Sequence, residues 1–151
     1  MSFSSNVATA YCSIVSGCVV GTTSTTSCSV IPSETAGPYP GDGTNTSNGS
    51  IANALSLSGV VRSDIRSSFG TATGTATGVM LTIRLRILSA SGCAAIAGAA
   101  VYLWHCDAAG LYSLYSNGAT DKNYLRGVQV ADANRQQVLE SLGIPVEVAE
   151  S

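Results

Sequence analysis

"VMLTIRLRIL", residues 79–88, alternates with a period of two: Leu81, Ile83, Leu85 and Ile87 fall on one side, Thr82, Arg84 and Arg86 on the other. Side chains of an extended chain project to opposite faces in turn, so this pattern predicts a strand with one buried and one wetted face. The chain then turns at "SASGC" (89–93) and enters "AGAAVYLWHCD" (97–107). There Val101, Leu103 and His105 share one face, and Tyr102, Trp104 and Cys106 the other. Both faces are apolar or aromatic, which predicts an inner strand covered on two sides. "AAGLYS" (108–113) reads as a turn and "LYSNGATDK" (114–122) as a loop. "NYLRGVQVADA" (123–133) predicts a further strand carrying Leu125, Val128 and Val130.

Towards the N-terminus, "LSLSGVVRSDIRSSF" (55–69) predicts a short strand at its apolar start, followed by a polar loop. "GTATGTATG" (70–78) reads as a loop. "IPSETAGPYPGDGTNTSNGS" (31–50) is rich in proline and glycine, and predicts an extended, turn-bound segment outside the core. Residues 1–29 mix Ser, Thr, Gly, Val and Cys without period and are expected to form a disordered arm. Short strands separated by Gly-rich turns point to an all-β fold, an antiparallel immunoglobulin-like β-sandwich spanning 30–133. The tail, 134–151, differs in texture: Val138, Leu139 and Leu142 have helical spacing, and Gly143 and Pro145 supply a stop, so a short C-terminal helix is expected there.

Composition narrows the function classes. The 151 residues carry a formal net charge of −2 with seven Lys and Arg, which leaves no basic footprint for nucleic acid or an anionic membrane surface. The longest nearly apolar run, 94–104, is about half of what spans a bilayer. Cys12, Cys18, Cys28, Cys93 and Cys106 include no CxxC pair, which disfavours zinc. A disulfide among Cys28, Cys93 and Cys106 and simple burial of the thiols are both open readings. Cysteine and Ser/Thr content suggest export, although Met1–Ser29 holds no Lys or Arg of a signal peptide.

Four stretches in order, "IPSETAGPYPGDG", "GVVRSDIRSSFG", "VYLWHCDAAGLYS" and "NYLRGVQVADA", resemble the intradiol ring-cleavage dioxygenases of the catechol/protocatechuate type. The resemblance implies a non-haem iron(III) enzyme that cleaves a catechol-type ring with O2, taking a small aromatic diol as substrate and assembling as a homo-oligomer. In that family iron(III) is held by two tyrosinates and two histidines. A hard trivalent ion stabilises anionic oxygen, so a phenol with an ordinary pKa of about 10 can bind as phenolate near neutral pH. By resemblance Tyr112 is the metal ligand, and Tyr39 lines the substrate pocket in a catalytic role. His105 matches a strand position and reads as a hydrogen-bonded core or rim residue, Tyr102 and Trp104 as core aromatics. Arg126 and Gly127 are expected to shape the start of a strand, the arginine at the surface or in an ion pair. Asp64 with Arg62 and Arg66 reads as a solvated charge cluster.

The family pattern continues with "PG-Y" and "GR--HIH" segments that carry the second tyrosine and both histidines, and the match here stops around Ala133–Asn134. The expectation is therefore a C-terminally incomplete family member, inactive alone, with a metal-free β-sandwich binding or structural module as the alternative.

Overall fold

A computed structural model describes residues 29–30, 33, 35, 37–90, 93–131 and, as backbone, 136–143. Six strands follow in order: β1 (Asp42–Ser47), β2 (Ser50–Asn53), β3 (Val79–Arg86), β4 (Ala100–Trp104), β5 (Arg126–Val130) and β6 (Gln136–Gly143). They pair as three two-stranded antiparallel ladders, β1–β2, β3–β6 and β4–β5. The protein is all-β over the described residues. No described helix is long and apolar enough to cross a membrane. The arm expected at 1–29 lies, except for Ser29, outside the described residues.

Strand β3 forms as the alternation predicts, with Leu81, Ile83, Leu85 and Ile87 half-buried and the residues between them exposed. On β4 both faces are covered: Val101, Tyr102 and Leu103 are all buried. Strand β5 pairs with β4 from Ala100↔Val130 to Trp104↔Arg126. Its other edge accepts the 60–62 segment, where the Val128 amide donates to Val60 at 2.8 Å and the Arg62 amide donates to the Val128 carbonyl at 3.0 Å. The short strand expected around 55–61 is therefore a run of turns ending in one parallel bridge, Val61↔Val128.

Two elements correct the sequence reading. Residues 136–143 form a strand, not the expected helix, in an eight-pair ladder from Val79↔Gly143 to Arg86↔Gln136. An open β3 edge presents a row of backbone donors and acceptors, and pairing with it outweighs a weak local helical preference. The rest of the expected helix, 144–151, lies outside the described residues. The segment read as extended and turn-bound carries β1 and the turn of the β1–β2 hairpin, whose loop is Asn48–Gly49 with φ of 48° and 76°. Two consecutive positive φ values match the twist of a tight hairpin, and Asn–Gly is the pair that tolerates them.

The core lies beneath β4 and β5. Ile65 is fully buried against Leu103, with Ile83 packed on them. Ala76, Ala119, Tyr124 and Leu125 form a second cluster, joined by Leu111. Gly127 has a packing reason to lack a side chain: a Cβ there would sit 2.4 Å from Ile65 Cγ2.

Candidate functional site

Tyr112 follows the turn that leaves β4, and Asp107 builds that turn. Its Oδ1 accepts the amides of Ala109 and Leu111, each at 2.9 Å, and its Oδ2 accepts the Tyr124 hydroxyl at 2.9 Å. The Asp107 amide donates to the Leu111 carbonyl, closing the loop. Beyond it the Tyr112 amide donates to Ser116 Oγ at 2.8 Å, while its carbonyl accepts the amides of Tyr115 and Ser116. A short polar side chain that folds back on its own backbone is the usual device for such turns.

The rings gather here. Tyr39 lies 4.7 Å from Tyr112 between ring centroids, tilted by 34°, and 5.2 Å from Tyr115. Trp104, at the end of β4, meets Tyr112 edge-on at 5.9 Å. These are favourable aromatic separations. Tyr39 stays 36% exposed, so the cluster opens to solvent on that side. Strand β1 closes the flank: the Tyr115 hydroxyl donates to Asn45 Oδ1 and accepts the Gly41 amide at 2.8 Å, and Ser47 Oγ donates to the Leu114 carbonyl at 2.6 Å.

Beneath the rings is Arg126, 1% exposed. Its Nε donates to Ser113 Oγ (3.0 Å), and Nη1 donates to the Pro40 carbonyl (2.8 Å) and the Tyr102 hydroxyl (3.2 Å). Nη2 donates to the carbonyls of Tyr39 (3.0 Å) and Ser113 (2.9 Å). The guanidinium also lies 5.5 Å from the ring centroids of both Trp104 and Tyr115. This corrects the expectation of a surface or ion-paired arginine: every partner named is neutral, and the residue is among the most buried of the described residues. Next to this network two leucines adopt left-handed backbone, Leu114 (φ 71°) just after Ser113 and Leu125 (φ 54°) just before Arg126. A branched side chain in that region costs on the order of 1–2 kcal/mol, which the surrounding contacts must offset.

The charge cluster expected around Asp64 also divides. Arg66 pairs with Asp64 at 2.6 Å on the surface. Arg62 turns inward instead, donating to the Arg126 carbonyl through Nε (3.1 Å) and Nη2 (2.7 Å), and covers the Phe69 ring at 4.4 Å. Burial lowers its pKa to about 10, partly countered by Asp64.

Burial is the main influence that raises the Tyr112 phenol above its ordinary value, reinforced by the neighbouring Cys106 thiol and Tyr39 and opposed by Arg126. Without a metal the group is therefore a neutral phenol at neutral pH. His105 donates its Nδ1–H to the Cys106 carbonyl at 2.6 Å, and burial pushes its pKa down. Cys106 keeps a free thiol, whereas Cys93 is disulfide-bonded. Among the described residues no group of three or more His, Cys, Asp or Glu could hold a metal ion. Ferric iron demands several oriented ligands, and the oxygen donors gathered here are the phenols of Tyr39, Tyr112 and Tyr115.

The structure thus brings together the two residues singled out as ligand and pocket residue, Tyr39 and Tyr112. Sequence reasoning passed over Tyr115 and misplaced Arg126. The available signals were a third tyrosine three residues beyond Tyr112 and a lone arginine inside an otherwise apolar strand, "YLRGV".

No family model and no curated protein matches the chain. Solved structures similar to it include intradiol ring-cleavage dioxygenases. An intradiol ring-cleavage dioxygenase from Tetranychus urticae is 25% identical, with a TM-score of 0.49 over 61% of this chain and 47% of that one. A catechol 1,2-dioxygenase from Acinetobacter sp., inhibited by bound mercury, is 23% identical over 56% and 28% of the two chains, with a TM-score of 0.42. A hydroxyquinol 1,2-dioxygenase from Pseudomonas putida is 16% identical over 66% and 34%, with a TM-score of 0.40. The chain spans less than half the length of each of these structures.

Proposed function

We propose that residues 30–133 form the Tyr112-bearing part of an intradiol ring-cleavage dioxygenase, built on an antiparallel immunoglobulin-like sandwich and directed at a catechol-type ring. The single observation that supports it most is the meeting of Tyr39 and Tyr112 at 4.7 Å, two residues 73 positions apart that the sequence motifs mark independently. In this reading Tyr112 would offer one phenolate to iron(III), which would supply Lewis acidity. The chain's own residues do the rest. Tyr39, half in solvent, presents a ring face to the substrate, and Trp104 limits how far the Tyr112 ring can turn. Each aromatic contact of that kind contributes about 0.5–1.5 kcal/mol beyond the area it buries.

The phenols gathered at the site are Tyr39, Tyr112 and Tyr115, and the single histidine of the sequence, His105, has its Nδ1 engaged by a backbone carbonyl. We therefore expect this chain alone to bind a catechol weakly and to cleave none. Catechol titration should quench the emission of Trp104, the only tryptophan, and Tyr39→Ala should abolish that response. Ferric salt should give no strong visible tyrosinate charge-transfer band, and an oxygen electrode should record no catechol-dependent uptake. Unchanged Trp104 emission at saturating catechol would sink the ring-binding reading. A one-to-one ferric complex that consumes oxygen would sink the inactivity of the chain on its own.

A further inference from the structure

We infer that Arg126 is a positioning residue, a buried guanidinium that sets the separation and tilt of the Tyr39 and Tyr112 rings by holding the backbone of both segments at once. The inference rests on the proposed function only for what the ring pair is used for; the clamp itself is read from the geometry.

A guanidinium has five N–H groups in a fixed planar fork. In Arg126 all five are taken: one by Ser113 Oγ, one by the Ser113 carbonyl, one each by the carbonyls of Tyr39 and Pro40, and one by the Tyr102 hydroxyl. No donor is left for a substrate carboxylate, so a role in reading an anionic substrate does not fit. The acceptors instead come from three separate parts of the chain. Ser113 directly follows Tyr112, Tyr39 and Pro40 belong to the segment before β1, and Tyr102 lies on β4. Tyr102 closes the network by donating its own hydroxyl to the Pro40 carbonyl at 3.1 Å.

Tyr39 needs such a hold. It is 36% exposed, and Asn45 Nδ2 to the Pro38 carbonyl is a further tie of its segment, on the surface at 2.8 Å. The clamp also lies close under the segment it grips, since a Cβ on Gly41 would meet Arg126 Nη1 at 2.7 Å. Gly41 has a φ of 60°, so glycine here serves both the turn and the approach of the guanidinium. Lysine cannot replace this arrangement. Its ammonium has three donors at one point and no plane with which to hold carbonyls on two sides.

The test uses the full chain labelled with 3-fluorotyrosine, its six fluorine resonances assigned by single Tyr→Phe variants. Ring currents from a neighbour at 4.7 Å make the Tyr39 and Tyr112 signals reporters of their mutual placement. Arg126→Lys should move both signals towards the unfolded position while the Tyr124 signal stays. Ile65→Ala, which weakens the core away from the rings, should leave both unmoved. Arg126→Lys with unchanged Tyr39 and Tyr112 resonances would overturn the inference. If that variant does not fold, Tyr102→Phe removes one acceptor of Arg126 and one donor to Pro40, and should shift Tyr39 in the same direction by less. No shift there overturns the inference equally.

A second arm titrates 4-nitrocatechol, a chromogenic diol. Wild type should bind it, and the folded Arg126 or Tyr102 variant should bind about tenfold more weakly, the usual penalty of a loosened site. Equal affinity in variant and wild type counts against the clamp. If wild type binds none, the catechol reading fails while the fluorine spectra still decide the role of Arg126.

Discussion

Tyr124→Phe removes a single oxygen, and its effect on stability should depend on pH in a way that exposes the Asp107 network. The Tyr124 hydroxyl, on a residue only 5% exposed, donates to Asp107 Oδ2 at 2.9 Å. Burial first, and then the Asp107 carboxylate through that bond and its charge, push the Tyr124 pKa up to about 12 from 10. Two units correspond to about 3 kcal/mol, close to the range of about 1.5–3 kcal/mol for a hydrogen bond to an ionised acceptor. The folded state keeps this proton at a pH where the unfolded chain has lost it. The contribution is therefore complete below pH 10 and drains away as pH rises through 12. Urea unfolding followed by Trp104 fluorescence at pH 8 should show the variant less stable by about 2–3 kcal/mol. At pH 11 the unfolded tyrosine is mostly ionised and the folded one is not, so wild type forfeits about 1.4 kcal/mol of that advantage.

The difference between the two proteins isolates Tyr124. Tyr102 and Tyr112 also hold raised pKa values, chiefly through burial, but they are present in both chains and their losses cancel where the sites are independent. A stability gap that stays constant within about 0.5 kcal/mol from pH 8 to pH 11 would refute the assignment of a buried, Asp107-bound phenol at this position.

Gly127→Ala places a Cβ 2.4 Å from Ile65 Cγ2, a stiff branch carbon, and should destabilise by about 1–3 kcal/mol in thermal or urea unfolding. In an Ile65→Ala background the same change should cost little, since the clashing carbon is gone; additivity of the two effects would show that the contact is not the cause. Gly49→Ala meets open space at φ 76°, so its cost is confined to the backbone, about 1 kcal/mol, and should appear as a lower urea midpoint without loss of fold. Tyr115→Phe deprives the buried Gly41 amide of its acceptor and Asn45 of its donor, and should destabilise by about 1–3 kcal/mol, more than an exposed Tyr→Phe change elsewhere.

Strands β3, β4 and β5 could be read from sequence because their signal is local: alternation places each side chain on a face before any partner is known. The tail could not. Val138, Leu139 and Leu142 fit a helix when taken alone, and only the open backbone edge of β3 decides for a strand. The hairpin had its signal in Asn48–Gly49, but its flanks, Asp42–Ser47 and Ser50–Asn53, are too polar to look like strands. At the candidate site, ordered motifs marked Tyr112 and Tyr39, and the structure brings their rings to 4.7 Å. Arg126 was not so marked, because its acceptors are mostly main-chain carbonyls, and sequence records side chains.

Protein groups hold Tyr39 and Tyr112 in place: Asp107 and Ser116 shape the turn, Tyr115 and Ser47 fasten β1 to it, and Arg126 grips both sides from below. Under the proposed function these supports would matter as much as the Tyr112 phenol itself, because they set where it is presented. Left-handed backbone at Leu114 and Leu125, on either side of this network, fits the same reasoning. Strain of that size persists only where neighbouring contacts over-determine the conformation, and here the two residues border the segments that Arg126 holds. The loss of the clamp should therefore be felt at the rings before it is felt in the fold.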